Sequence, residues 1–432
     1  RVMWDFFDGK TAFITGGSGF LGTALVFRLR SKAQCNHIYL LARGGKSCLK
    51  EKWSRSLPSD VVNWLLDPEK TTILDGDIIR PNFGLHDDEI QNLSSVLDFI
   101  VHAASSINLI HDLKSTLKHV VQPSEALAQF ALQCDHVERF VYVSTAYANS
   151  HLHGLSSETD VKVEERIYPL QSISERTVTV EYKEAQARFS TIEYESNDFP
   201  WAYGYAKHLS ERLLTAMFSE CGRYNQLLIV RPSVIGPAEC FPFPHYTVPT
   251  SSPVTMVSAM LANTPLFCLN FASSLSNPGM DATLDEVPVD VVVDRLLIHL
   301  AFNTQGCVHA VNGERGRIKA QEIHQALRAI RWLPWEPTII WSMDSWHSKH
   351  QHWVNRIFKL LGTSFNFLDE STFAIWEGLS HEDRQSLMLF SQTRDHLFDL
   401  TSRKEHIYQC VIILSKRMSF PHRLFFRLLW SL

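Results

Sequence analysis

Short apolar runs and helically spaced apolar residues take turns along the first 315 positions of the chain. The runs include 12–14 (AFI), 37–43 (HIYLLAR), 71–74 (TTIL), 97–103 (LDFIVHA), 139–145 (RFVYVST) and 226–234 (QLLIVRPSV). Each is too short for a globular helix and too apolar for an exposed loop, so each reads as a buried strand. Behind the first run, Leu21, Ala24, Leu25, Phe27 and Leu29 recur at helical spacing. Residues 46–70 read as a polar, helical connection, and about 112–134 as a helix that Pro123 should kink or split. Residues 286–301 (EVPVDVVVDRLLIHLA) read as a short strand and an amphipathic helix, with one more short strand at 308–312. Strands alternating with helices in this way predict an α/β domain around a parallel sheet.

Two stretches break the alternation. Residues 150–199 are polar and irregular, and 235–265 are rich in Pro, Phe and small residues. The first reads as an insertion over the site. The second, extended to 238–285, reads as an apolar lining for a substrate. From about Trp332 the spacing is helical, with Trp and Phe and no strand alternation. The expected boundary is near 335, dividing the chain into 1–335 and 336–432. Ser380 with Asp383 reads as the start of one of the later helices.

The first strand runs into TAFITGGSGFLG (11–22), where Gly16, Gly19 and Gly22 are spaced G-x-x-G-x-x-G. Strand, tight glycine turn and helix together form the arrangement that seats a dinucleotide pyrophosphate on a helix N-terminus. Gly16 suits the turn, Gly19 admits the phosphates, and Gly22 lets helix and strand pack closely. The fold expected is a Rossmann-type doubly wound parallel sheet with a smaller substrate subdomain and a helical C-terminal region. Thr15, Gly16, Gly17, Ser18, Gly19, Phe20, Leu21 and Gly22 are the candidate cofactor cradle. The second strand ends on Arg43, with Lys46 close behind. That position lies beside the adenosine ribose, where a basic residue suits the 2′-phosphate of NADPH and an acidic one the hydroxyl of NAD. Asp77 and Ile78 would sit at the adenine, and small Ala103 and Ala104 leave room for the cofactor. Pro232 and Ser233, at the end of the sixth strand, complete the cofactor set.

Composition narrows the class. The chain has 432 residues, 45% hydrophobic and 20% charged, as expected for a globular protein with a substantial core. A net charge of −5 gives no reason to expect nucleic acid as a partner. Eight scattered cysteines without a C-x-x-C pair argue against a zinc site and for a reducing compartment. His347, His350 and His352 cluster between Trp346 and Trp353 without a carboxylate or Cys at ligand spacing, so they read as a surface or interdomain loop. No signal-peptide pattern precedes the first strand. The apolar runs 411–414 and 424–430 fall short of the roughly 20 residues that span a bilayer. The basic, aromatic tail 422–432 (HRLFFRLLWSL) suits either a membrane surface or a final helix packed on the domain, the latter preferred.

The chemistry is carried by two places. The fifth strand ends in Ser144 and Thr145, at the edge of a parallel sheet where ligands bind. In WAYGYAKHLSERLL (201–214), Tyr203 and Lys207 are four apart and share one helix face. An ammonium beside a phenol favours the phenolate and lowers its pKa from about 10. Such a Tyr can hand a proton to a substrate oxygen near neutral pH.

The glycine turn, the Ser-Thr strand end and Y-x-x-x-K stand in the order and spacing of the extended short-chain dehydrogenase/reductases. Within that superfamily the chain most resembles the fatty acyl-CoA reductases of the male-sterility type. The stretches that carry the resemblance are 6–30 (FFDGKTAFITGGSGFLGTALVFRLR), 37–43, 74–85 (LDGDIIRPNFGL), 140–149 (FVYVSTAYAN), 201–211 and 229–237 (IVRPSVIGP), with ERIYPL at 165–170. The likeness is good over about 5–315 and weak over the last hundred residues, where the family has a smaller helical domain. It implies NADPH as cofactor, held by Gly16, Gly19, Gly22 and Arg43, and Thr145, Tyr203 and Lys207 as catalytic set, with Ser144 as the neighbour one position away. It implies a long-chain acyl-CoA substrate, reduced through an aldehyde to a primary alcohol, at a peroxisomal or endoplasmic-reticulum membrane facing the cytosol. The chain departs from the family where N-V-x-G-T is usual and Val120-Val121-Gln122-Pro123-Ser124 stands instead, which puts an Asn contact in that helix in doubt.

Three other readings share these residues. A thioester reductase acting on a carrier-bound acyl group has the same catalytic set. A nucleotide-sugar epimerase or dehydratase usually prefers NAD, which Arg43 disfavours. A silent NADPH-binding module that docks through the tail has only Val120 and Pro123 in its favour, and has no need of Thr145, Tyr203 and Lys207 together.

Overall fold

A computed structural model of the chain describes residues 3–155, 159–171, 176–262, 264, 266–330, 335, 337–392 and 403–415. Its centre is a parallel sheet of seven strands: β1 (Thr11–Thr15), β2 (His37–Ala42), β3 (Thr71–Asp75), β4 (Phe99–His102), β5 (Arg139–Val143), β6 (Leu227–Pro232) and β7 (Gly306–Ala310). Their spatial order is β7-β6-β5-β4-β1-β2-β3. The order reverses between β1 and β4, and such a reversal opens a ligand crevice at the C-terminal strand ends.

The strands read as continuous apolar runs because both faces are covered. In β1, Ala12 and Ile14 enter one core cluster while Phe13 enters the other. In β5, Val141 and Val143 face the first cluster, and Phe140 and Tyr142 the second. Four helices matter most for the site: α1 (Phe20–Arg28), α2 (Gly45–Trp53), α3 (Gln122–Gln133) and α4 (Ala202–Glu220). A fifth, α5 (Val289–Ala301), packs against α1. Arg28 of α1 donates two hydrogen bonds to Asp294 of α5, at 2.7 and 2.6 Å, with both side chains buried.

Several expectations change. The helix after Glu286 is buried along its whole length from Val289 to Leu300, so it is a core helix and not an amphipathic surface one. Its polar groups are matched inside: Asp294 also accepts from Met388 N, and Arg295 donates to Leu389 O. The 150–199 stretch is less irregular than its polarity implies, with helices Val178–Arg188 and Ile192–Ser196 and a strand Val161–Val163. Beyond 335 two short strands appear among the helices. Thr338–Ser342 pairs with Cys268–Ala272, and Phe365–Phe367 pairs with Val161–Val163. The helical pattern hid them because each is short and gains its partner from a distant stretch.

The helix expected to kink or split at Pro123 is split in its hydrogen-bond pattern, while Val121 and Gln122 keep right-handed helical angles. The i→i+4 ladder stops after Leu113–Thr116, a wider π turn spans Leu117–Val121, and α3 restarts with Pro123 in its first turn. There the missing N–H costs nothing. Ser380 caps the helix His381–Ser386, accepting from Asp383 N at 3.1 Å. Among the described residues no helix is long and apolar enough to cross a membrane. The tail 422–432 and the apolar run 424–430 lie outside the described residues.

Candidate active site

The glycine turn has a shape that only glycine allows. Gly16 has φ +83°, and a Cβ there would stand 2.6 Å from Ala104 N. A Cβ on Gly22 would stand 2.1 Å from Gly16 O. Gly19 precedes α1 and brings no side-chain cap, which leaves the helix N-terminus suited to an anion. Trp53, at the end of α2, pins the turn from behind: its indole N–H lies 3.1 Å from Gly17 O and 3.0 Å from Thr23 Oγ1. A bare helix N-terminus behind a backbone cradle with no room for side chains fits a dinucleotide pyrophosphate. Ser18 and Leu21 are half-buried, and Phe20 is buried against Tyr246.

Thr15 faces inward. Its hydroxyl lies 2.8 Å from His102 Nδ1, and His102 Nε2 lies 3.1 Å from Ser124 Oγ on α3. Burial, reinforced by Lys207, depresses the His102 pKa to about 3, so the ring is neutral. Ala103 and Ala104 are half-buried, with Ala104 N 3.4 Å from Thr15 Oγ1. Arg43 is exposed immediately after β2. The turn it opens is held by Asp75 at the end of β3, whose Oδ1 accepts from Gly44 N at 2.8 Å. Asp77 and Ile78 follow β3. Asp77 Oδ1 accepts from Ile79 N at 3.2 Å, and Ile78 leans on the core.

At the end of β5, Thr145 is buried. It accepts from Tyr147 N at 3.3 Å and donates to Pro232 O at 3.4 Å, two long bonds that hold the hydroxyl lightly. Ser144 Oγ is buried without a hydrogen-bond partner. Ser233 is already engaged: its hydroxyl donates to Asp285, which also accepts from the Asn312 and Gly313 amides. The turn Ala146–Asn149 packs directly on α4. Gly204 permits this, because a Cβ there would lie 3.3 Å from both Tyr147 O and Ser150 Oγ. Tyr203, next to Gly204, is thereby brought to the strand end that carries Thr145.

Lys207 is 1% exposed. Its Nζ donates to Val143 O at 2.8 Å and stands 4.6 Å from the centre of the Tyr142 ring and 5.9 Å from that of Tyr203. Burial depresses its pKa to about 7, against the opposing pull of Glu211. Burial also raises the Tyr203 pKa. This corrects the expected acidification of Tyr203 by Lys207: in this structure the ammonium is committed to a carbonyl, and desolvation dominates both groups.

Glu211 and Arg231 were not among the candidates. They form a fully buried pair, with Arg231 Nε 2.9 Å from Glu211 Oε1. Tyr203, Lys207 and Glu211 recur every four residues along one side of α4, and that spacing was the available signal. Trp53 left none, since its contact with the turn joins residues 36 positions apart. His347 binds Asp198 at 2.9 Å, just ahead of α4.

A family profile described as male sterility protein matches residues 14–296. Fatty acyl-CoA reductase 2 of Homo sapiens is 26% identical over 301 residues, covering 68% of this chain and 54% of that protein. Fatty acyl-CoA reductase 1 of Xenopus laevis is 25% identical over 303 residues, covering 68% and 55%. The chain thus spans about half the length of the curated relatives it matches. Among solved structures, the terminal R domain of the myxalamid PKS-NRPS pathway superposes with a TM-score of 0.63 at 18% identity, covering 92% of this chain and 90% of that one. UDP-glucuronic acid 4-epimerase from Bacillus cereus, in complex with NAD, gives 0.55 at 13% identity, covering 93% and 99%. These likenesses establish a shared fold.

Proposed function

The chain belongs to the male sterility protein family, and on that premise we propose that it is an NADPH-dependent reductase of long-chain acyl-CoA that forms the primary alcohol through an aldehyde. What supports this reading is that the glycine turn and Thr145 both follow strands of one parallel sheet, with the helix that carries Tyr203 packed on the turn after Thr145, in a chain similar to fatty acyl-CoA reductases. Residues 1–335 would form the reductase domain, and 336–432 the smaller helical domain.

NADPH, when bound, supplies the hydride. Gly16, Gly19 and the first turn of α1 would hold its pyrophosphate, and Arg43 its 2′-phosphate. Thr15, Gly17, Ser18, Phe20, Leu21, Gly22, Asp77, Ile78, Ala103, Ala104, Pro232 and Ser233 would wall the rest of the cofactor. The thioester carbonyl oxygen would sit between the hydroxyls of Thr145 and Tyr203, which donate to it as negative charge develops. The weak bonds at Thr145 make it ready to turn. Collapse of the tetrahedral adduct expels the thiolate and leaves an aldehyde. In a second round Tyr203 gives its proton to the aldehyde oxygen. A raised Tyr203 pKa keeps that proton in place until oxyanion character appears, and the Lys207 charge then stabilises the phenolate.

The test is NADPH consumption with palmitoyl-CoA, with extraction of products, beside Tyr203→Phe. A long-chain alcohol that vanishes in the variant is expected. Free aldehyde alone would remove the second step. A carrier-bound thioester as the sole substrate would move the reading to a carrier-dependent reductase, and tight NADPH binding without turnover of either would overturn the enzymatic reading.

A further inference from the structure

The segment that follows β4 leaves regular structure at Ala103 and does not regain it until the helix Leu113–Thr116. Its polar groups are satisfied locally: Asn108 Oδ1 accepts from Ile110 N at 3.0 Å, and Asn108 O accepts from His111 N at 3.3 Å. The turn so formed projects two aliphatic side chains into solvent. Ile107 is 62% exposed and Ile110 74%, against 46% or less for the other exposed isoleucines among the described residues. Single exposed apolar residues are ordinary, but two in one short turn beside a ligand crevice call for a covering group.

The position of the turn says what that group is. At one end Ala103 and Ala104 back directly onto Gly16 of the cofactor cradle. In the middle, Leu109 packs with Tyr203 against a cluster that includes Tyr147, Trp201, Trp346 and Phe365. The turn therefore lies between the cradle and the cluster that Tyr203 packs on, so a chain leaving the reacting carbon on this side would run along it. Its two projecting side chains are aliphatic, so they offer dispersion contact and desolvation and no charge or hydrogen bond.

Resting on the acyl-thioester reading above, we propose that Ile107 and Ile110 are the landing surface for the alkyl chain of the substrate and set the preference for long chains. The ligand chemistry is an unbranched alkyl chain on a thioester, whether the thiol belongs to CoA or to a carrier's pantetheine.

The test uses the full chain and two probes that cannot react, S-hexadecyl-CoA and S-hexadecyl-pantetheine, with free CoA and NADPH as controls, by calorimetric titration. The double variant Ile107→Asn with Ile110→Asn is compared with Ile107→Leu with Ile110→Leu. Both pairs change exposed side chains, so folding is preserved. The Asn pair is expected to bind the hexadecyl thioethers about tenfold more weakly or worse. CoA and NADPH should bind unchanged, and the Leu pair like the wild type. The CoA and pantetheine thioethers identify the source of the chain, and loss on either supports the landing. Unchanged thioether binding by the Asn pair would overturn the landing and leave the acyl-thioester reading intact. A wild-type protein that binds NADPH and neither thioether would overturn that reading, and the landing with it.

Discussion

The two sides of the crevice are built on different plans. On the proposed cofactor side, consecutive residues make the cradle: β1, the glycine turn and α1 lie within 11–28, and the strand and helix that flank the turn are largely buried. Clearance there is set by backbone atoms, as at Gly22, where an added carbon would overlap Gly16 O. On the proposed substrate side, the elements that would form the wall come from residues far apart in sequence: Val161–Val163 meets Phe365–Phe367, Cys268–Ala272 meets Thr338–Ser342, and the loop between β4 and Leu113 keeps its isoleucines in water. The first plan suits a single ligand of fixed shape. The second allows the wall to vary while the chemistry between the walls stays the same.

Substitutions on the two sides should therefore fail differently. The largest effect is expected for Gly22→Ala. With a contact of 2.1 Å to a backbone oxygen the turn must shift, and NADPH affinity should fall about a hundredfold or more, with about 2–4 kcal/mol lost from unfolding. Fluorescence titration and urea melts read both. An intact NADPH affinity would break the contrast. Next in size is pH. Lys207 has a folded pKa near 7, below its ordinary 10.5. The ammonium proposed to act in catalysis is lost as pH rises, so kcat/KM should fall about tenfold per unit above 7. Stability moves the other way. The unfolded chain holds that proton between about 7 and 10.5 and the folded one does not, so the Lys207 contribution is full above 10.5 and is lost as pH falls through 7. Opposite slopes in rate and in urea midpoint are the signature.

Smaller effects separate the two walls. Phe365→Ala removes a buried ring that meets Tyr147 edge to face at 5.9 Å. It should raise KM for a long-chain acyl-CoA about tenfold while the NADPH dissociation constant holds, at a stability cost of about 3 kcal/mol. Arg43→Ala should do the reverse, weakening NADPH about tenfold against NADH with the acyl-CoA KM unchanged. Steady-state kinetics with both cofactors read this. Equal effects on both ligands from either change would join the walls into one.

The same contrast explains what could be read from sequence. All seven sheet strands, the glycine turn and the Tyr203–Lys207 face follow from local period and spacing, and the structure bears out that fold. Thr338–Ser342 and Phe365–Phe367 escaped because a short strand has no identity until its distant partner is known. The helix Val289–Ala301 looked amphipathic because its Asp and Arg residues signal solvent, whereas they are matched by partners outside the helix: Asp290 by the amides of 239–241, Asp294 by Arg28 and Met388 N, and Arg295 by Asp369 and Leu389 O. Tyr203 and Lys207 were found by spacing, but their acidities depend on burial, which no spacing records.

The central claim is hydride delivery to an acyl carbonyl beside Tyr203. It is tested most directly by incubating the protein with palmitoyl-CoA and NADPH deuterated at the transferring position, then locating the label by mass spectrometry. The account predicts hexadecanol with two deuterons on the carbinol carbon, one from each round, and none in Tyr203→Phe. Product without deuterium at that carbon, or full labelling in the Tyr203→Phe protein, would contradict it.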